Sequence, residues 1–223
     1  MLNRRVSRWR ILLMVLTALL ISVFLMADEL DYEGIERRLV DNPDDVEALI
    51  LLARIYQDKA VDGDVESLDK AEALLIRALD NSPDNAEALA WLGSIKLLRA
   101  RDSWFPPSKL WYLNAGFRDL DRAVSLEPDN PLLRVIRAVS YISIPSTFMK
   151  RGTAIGDLEY VIILSDRLPG TVPDDLLAHA HYLLGDYYHD SNKMDKALFH
   201  LRKAAESAPD SKYGMKAAEL MSQ

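Results

Sequence analysis

The sequence predicts an all-α protein built from stacked helical hairpins, and three observations support this fold class. The stretch Pro173–Pro209 has apolar residues at helical spacing on both sides of a short polar turn, which predicts two amphipathic helices. A Pro-Asp dipeptide begins at residues 43, 83, 128 and 173, and each interval between them is long enough for two helices. Hydrophobic residues make up 49% of the chain, which is ample for burying the seams between helices.

The Pro173–Pro209 hairpin has no insertions and therefore sets the register of the repeat. Its small residues allow two antiparallel helices to approach closely, its large residues fill the seam, and Pro209 ends the second helix because it has no N–H. The residues that mark this order are Leu184, Gly185, Tyr188, Ala197, Leu201, Ala204 and Pro209. The order resembles the tetratricopeptide repeat pattern W-x2-L-G-x2-Y…A-x3-F…P.

Three upstream segments are similar to the same pattern, so the resemblance covers residues 43–221. The first small residue of the second helix is Ala71, Gly116, Ala154 and Ala197 in the four successive repeats. The resemblance implies a right-handed superhelical solenoid, and the apolar N-terminal run predicts a transmembrane helix before it. The predicted segments are a signal anchor at 1–27, a half-repeat helix at 28–42, repeats at 43–83, 83–128, 128–172 and 173–209, and a capping helix at 210–223.

Two departures from the pattern predict specific structure. Repeat two carries extra residues, including the aromatic insertion Trp104–Tyr112, and Pro107 is expected in the first turn of a lengthened second helix. In repeat three, Arg137 and Asp157 occupy positions where many tetratricopeptide repeats read R-G-x-A-Y and A-I-x-D-Y. We therefore expect Arg137 to form an ion pair with Asp157 across the two helices.

The N-terminus predicts a membrane anchor. Four Arg precede residue 11, the run Ile11–Met26 is almost entirely apolar, and acidic residues follow it. Sixteen helical residues span about 24 Å, slightly short of a hydrocarbon core of about 30 Å. Basic residues favour the cytoplasmic side, so the repeats are expected on the extracytoplasmic face of a single-pass protein. The alternative is a signal peptide cleaved after Ala27, but Leu25 is larger than such a site prefers.

Composition and motifs argue against several functional classes. After residue 27 the chain has 23 basic and 34 acidic residues, and so acidic a surface disfavours nucleic acid as a partner. There is no cysteine, and no dinucleotide, phosphate-loop, nucleophile-elbow or zinc-protease motif occurs. We therefore expect no enzyme activity, no catalytic residues and no cofactor.

Two groups of residues have some of the features of a metal site. The turn Asp58–Asp69 partly imitates a calcium loop, but Ala60 replaces a ligand and Asp69 replaces the bidentate Glu, which favours a solvated acidic loop. His179 and His181 are two residues apart and therefore lie on different helix faces, so no metal site is predicted.

The resemblance implies that the first helix of each repeat lines a concave groove. Its centre is predicted to be apolar and its two ends polar, and exposed apolar patches often mark a partner site. The Lys and Asn that chaperone-binding members use to clamp a carboxylate are absent from these positions. The predicted partner-binding residues are Ala90, Leu97, Trp104, Phe105, Trp111, Tyr112, Leu132, Val135, Val139, Ile142 and Tyr182.

An alternative structural role is that the Trp104–Tyr112 insertion, or the Ile144–Met149 turn, folds back and fills this groove. The preferred function is a membrane-tethered scaffold that binds a partner protein or peptide through the groove. The alternative function is a carrier or holdase for an apolar ligand or an unfolded segment.

Overall fold

The computed structural model describes residues 32–61 and 64–222, and within them the chain is all α-helical, with no strand. The predicted anchor at 1–27 lies outside the described residues. Among the described residues, no helix is both long and apolar enough to cross a membrane. The helices are α1 (32–41), α2 (Val46–Val61), α3 (Val65–Asn81), α4 (Ala86–Asp102), α5 (Pro106–Leu126), α6 (Pro131–Ile142), α7 (Arg151–Arg167), α8 (Asp174–Asp190), α9 (Met194–Ser207) and α10 (Lys212–Met221), with a 3-10 turn at Ser146–Phe148.

Three of the four Pro-Asp junctions have a structural cause, because the residue that follows each of them caps the next helix. The side chain of Asn85 accepts a hydrogen bond from the backbone N–H of Ala88 at 2.8 Å, and Asp45 accepts one from Ala48 at 3.1 Å. Asn130 accepts one from Leu132 at 3.0 Å. Such a cap contributes about 1 kcal/mol to helix stability. The junctions therefore set where α2, α4 and α6 begin.

The helices pair as successive hairpins, α2 with α3, α4 with α5, α6 with α7 and α8 with α9. Helices α4 and α5 approach each other closely, because a Cβ atom on Gly93 would lie 2.9 Å from the carbonyl oxygen of Gly116. The large residue four positions after each repeat's small one is fully buried: Leu75, Leu120, Leu158 and Leu201. This shared burial is what makes the four hairpins structurally equivalent.

The stack is curved, and the even-numbered helices lie on its inner side. Contacts run in series from α2 to α4, α6, α8 and α10, whereas the described parts of α3, α5, α7 and α9 make no contact of similar extent with one another. Helices that touch in one layer and separate in the other bend a stack towards the touching layer. We call α2, α4, α6, α8 and α10 the inner layer.

A buried cluster of ion pairs joins the two helices of repeat three. Arg137 donates from Nε and Nη2 to Asp157 at 2.7 and 2.8 Å, which confirms the predicted pair. Arg134 also donates to Asp157 at 2.9 Å, and Arg137 reaches Asp121 of α5 at 3.1 Å. Tyr141 donates to the same Asp121 at 2.7 Å, and burial raises the pKa of this phenol well above its usual range. The cluster therefore also ties repeat three to repeat two.

Candidate partner-binding surfaces

Three residues predicted to line an exposed apolar groove are instead part of the core. Ala90, Leu97 and Val135 are all buried, in the cluster that runs from α4 to α9. The expectation that they are open to solvent is wrong, because neighbouring helices cover these side chains, as α5 does where its Gly116 lies against Leu97. A partner on the surface does not reach them.

An accessible apolar part of the inner layer lies on α6. Leu132, Val139 and Ile142 are half-buried and pack against the core with one side. They are three, seven or ten residues apart, so they form one stripe along the helix. We call Leu132, Val139 and Ile142 the apolar stripe.

One end of the inner layer is formed by ring and charged groups of α2 and α4. The guanidinium of Arg54 lies 5.2 Å from the centroid of the Trp91 ring, and Trp91 Nε1 donates to Glu87 at 3.1 Å. Arg54 and Glu87 also form an ion pair at 3.8 Å between the two helices. These contacts hold a half-exposed cation over an aromatic ring, an arrangement that is attractive by cation–π interaction.

The other end combines rings from α8 and α10. The ring of His179 stacks on that of Tyr213 at 3.5 Å between centroids and 6° between planes, and Tyr182 lies 5.6 Å from Tyr213. Burial, reinforced by Lys212 and Lys216, lowers the pKa of His179 to about 4, so this imidazole is neutral at pH 7. The neutral ring serves as an apolar surface with a polar edge.

Sequence reasoning missed Tyr213 because it was assigned only to the capping helix. Burial raises the pKa of its phenol, and the carboxylate of Asp58 in α2 adds to this rise. The sequence does contain a signal for this residue. Tyr213 lies in the first turn of the capping helix, at a position where the preceding repeats place a groove residue.

The aromatic insertion forms an exposed tip and does not fill the groove. We call Trp104, Phe105, Leu110 and Trp111 the aromatic tip. Trp104 is 90% exposed and Trp111 is 62% exposed, which excludes the predicted alternative that this insertion folds back into the inner layer. Tyr112 is half-buried and meets Trp111 edge to face, with 5.0 Å between the ring centroids.

The Ile144–Met149 turn, the other segment that could fill the groove, is buried at one end and exposed at the other. Ile144 is buried and joins the core, whereas Met149, at the other end of the turn, is 86% exposed. Met149 has a positive φ of 53°, so the backbone turns sharply there and directs the chain into α7. Phe148, just before Met149, meets the ring of Phe117 of α5 with 6.0 Å between the centroids. The turn therefore packs inward through Ile144 and Phe148, and Met149 stays in solvent.

A histidine pair in repeat four joins α8 to α9 and belongs neither to the partner-binding face of the inner layer nor to the aromatic tip. His181 and His200 face each other with 3.0 Å between their Nδ1 atoms, so one ring donates a hydrogen bond and the other accepts it. Burial lowers the pKa of His181 to about 4. The pair joins α8 to α9 and has a structural role.

The chain is similar to tetratricopeptide repeat proteins. Residues 178–211 match the tetratricopeptide repeat model. The fold is similar to that of TTC0263, a thermophilic tetratricopeptide repeat protein of Thermus thermophilus, with a TM-score of 0.66 and 21% identity over 86% of this chain and 89% of that one. It is also similar to human IFIT1, solved as a dimer with PPP-AAAA, with a TM-score of 0.58 and 18% identity over 82% of this chain and 46% of the human one. No curated protein matches the sequence. At these identities the likeness shows the fold, which is a helical solenoid of tetratricopeptide type.

Proposed function

We propose that the protein is a membrane-tethered scaffold, which binds an extended peptide or a helix of a partner protein along its inner layer. The observation that carries this proposal is the order of accessible groups along that layer. An apolar stripe on α6 lies between two ends formed by rings and charged or polar groups. This order fits a short segment with apolar side chains in its middle and polar groups at both ends.

The apolar stripe supplies affinity, and the two ends supply orientation. Burying a whole Leu, Ile or Val side chain contributes about 1.5–3 kcal/mol to the free energy of binding. Because the stripe residues are already half-buried, each contributes only the share that comes from its remaining exposed area. Trp91 and Tyr182 are aromatic residues of the kind that dominates binding energy in protein interfaces. Because both are already packed against neighbours, they lose little side-chain freedom on binding.

The N-terminal sequence supports the tether. The apolar run Ile11–Met26, preceded by four Arg, is suited to hold the domain at the extracytoplasmic face of a membrane. A tether confines the scaffold to a thin layer, which raises its effective concentration for partners in that layer. The affinity of each groove contact can then be modest.

A photoreactive side chain introduced into the full chain in intact membranes tests this function. Tyr182 lies in the inner layer, and the exposed Phe199 lies on α9 in the outer layer of the same repeat, which makes it a matched control. We expect a discrete protein adduct from a probe at Tyr182 and none from one at Phe199. Equal adducts from both positions contradict the assignment of the inner layer. A lipid adduct at Tyr182 supports the carrier function instead.

A further inference from the structure

The aromatic tip lies at the start of α5, which begins further along its edge of the solenoid than α3 or α7. Helix α5 begins ten residues before Gly116, whereas α3 begins six residues before the equivalent Ala71 and α7 three before Ala154. At 1.5 Å per residue, the start of α5 lies about 6 Å further out than the start of α3 and about 10 Å further out than the start of α7. Pro106 and Pro107 fix the backbone φ angle in the first turn of α5, next to which the tip lies.

The tip lies on the edge from which the N-terminal segment leaves the domain. The hydroxyl groups of Tyr32, at the start of α1, and Tyr56, in the last third of α2, are 3.1 Å apart, so α1 begins beside the end of α2. Late α4 lies on the same edge, because Arg99 donates to Asp69 near the start of α3 at 2.6 Å. The apolar run ends at Met26, six residues before Tyr32, and six extended residues span about 20 Å.

The chemistry of the tip fits a lipid surface better than a protein groove. Trp side chains are enriched where a membrane meets water, and Trp104 and Trp111 are both largely exposed, with Phe105 and Leu110 between them in sequence. Residues 101–111 contain two basic residues, Arg101 and Lys109, and one acidic residue, Asp102. The chain as a whole has a net charge of −7. This slight local excess of positive charge favours a bilayer that contains anionic lipid.

We propose that the aromatic tip inserts into the headgroup region of the membrane that holds the N-terminal segment. The domain then stands on the bilayer on this edge. Because α5 begins further out than α3, the acidic first turn of α3 stays in water while the rings enter the interface. The inner layer consequently runs beside the membrane surface, where it meets membrane-associated partners. This inference rests on the tether of the proposed function.

Cysteine labelling of the full chain in protein-free vesicles tests the proposal, since the native chain has no cysteine. Leu110→Cys places a fluorescent label at the tip, and Leu126→Cys places one at the opposite end of the same helix, where Leu126 is also exposed. The vesicles contain phosphatidylcholine and phosphatidylglycerol. Quenching is measured with aqueous iodide and with a nitroxide-bearing lipid, after flotation separates bound from free protein. Circular dichroism checks that both variants are folded.

We expect the label at residue 110 to show a several-fold loss of iodide quenching relative to residue 126, together with strong quenching by the nitroxide lipid. Adding Trp104→Ser and Trp111→Ser should return residue 110 to the iodide quenching of residue 126. If the chain floats with the vesicles but both labels are equally open to iodide, the tether holds and the tip proposal is refuted. If the chain does not float, the tether itself is refuted, and the tip proposal with it.

Discussion

Replacement of Asp157 by Asn tests the physical account of the stack most sharply. Asp157 is 2% exposed and accepts three hydrogen bonds of 2.7 to 2.9 Å from Arg134 and Arg137, whose side chains are themselves 16% and 13% exposed. Breaking a buried ion pair from one side costs about 3–5 kcal/mol, because the remaining charge stays buried without compensation. Arg137 retains Asp121 at 3.1 Å, so we expect a loss near the lower end, about 3 kcal/mol, in the free energy of unfolding.

Urea denaturation of the full chain in detergent, followed by circular dichroism, measures this loss. Glu206→Gln is the matched control, since Glu206 pairs with Lys203 at 3.0 Å on the surface, where an ion pair contributes about 0–1 kcal/mol. A double replacement of Asp157 by Leu and Arg137 by Met should recover part of the loss. If Asp157→Asn costs no more than Glu206→Gln, the cluster does not stabilise repeat three and the reasoning fails.

Three further predictions concern other elements of the stack. Gly214→Ala should lower the free energy of unfolding by about 1–3 kcal/mol and release α10, because its Cβ would lie 2.0 Å from the carbonyl oxygen of Ala208. The control Gly156→Ala should not destabilise the protein, since no atom lies within 4 Å of its Cβ. Hydrogen exchange of the α10 amides distinguishes the two variants. Lys96→Met should destabilise by about 3 kcal/mol because it leaves the buried Asp119 without its main partner, and adding Asp119→Leu should restore stability in urea denaturation. The folded-state pKa of His181 is about 4, below its ordinary value of 6.5, so the unfolded chain binds the extra proton and stability should fall as the pH falls from about 6.5 to 4. A His181→Gln variant should lose part of that slope, and an unchanged slope would show that His181 does not titrate in this range.

The repeat register was predictable from sequence because packing enforces it locally. Small residues at a fixed distance from a buried Leu, as in Ala197 and Leu201, are required wherever two helices touch, and they recur in each hairpin. The Arg137–Asp157 pair was predictable for the same reason, since both residues occupy repeat positions within one hairpin. The lengthened α5 likewise followed from the Pro residues that begin it.

The accessible surface of the inner layer was not predictable from the repeat pattern alone. Whether Ala90 or Val139 reaches solvent depends on the distance between neighbouring repeats, which no single repeat encodes. The stack of Tyr213 on His179 joins residues from the last repeat and the capping helix, and Asp121 enters the Arg137 cluster from the preceding repeat. Contacts between repeats therefore determine which groups remain available for binding.

The central claim is that a partner binds along the inner layer of the tethered chain. Amide hydrogen exchange of the full chain in vesicles, with and without the partner recovered by crosslinking at Tyr182, tests it directly. The account predicts slower exchange in α2, α4, α6 and α8 on binding, with α3, α5, α7 and α9 unchanged. Slower exchange confined to the odd-numbered helices would contradict it.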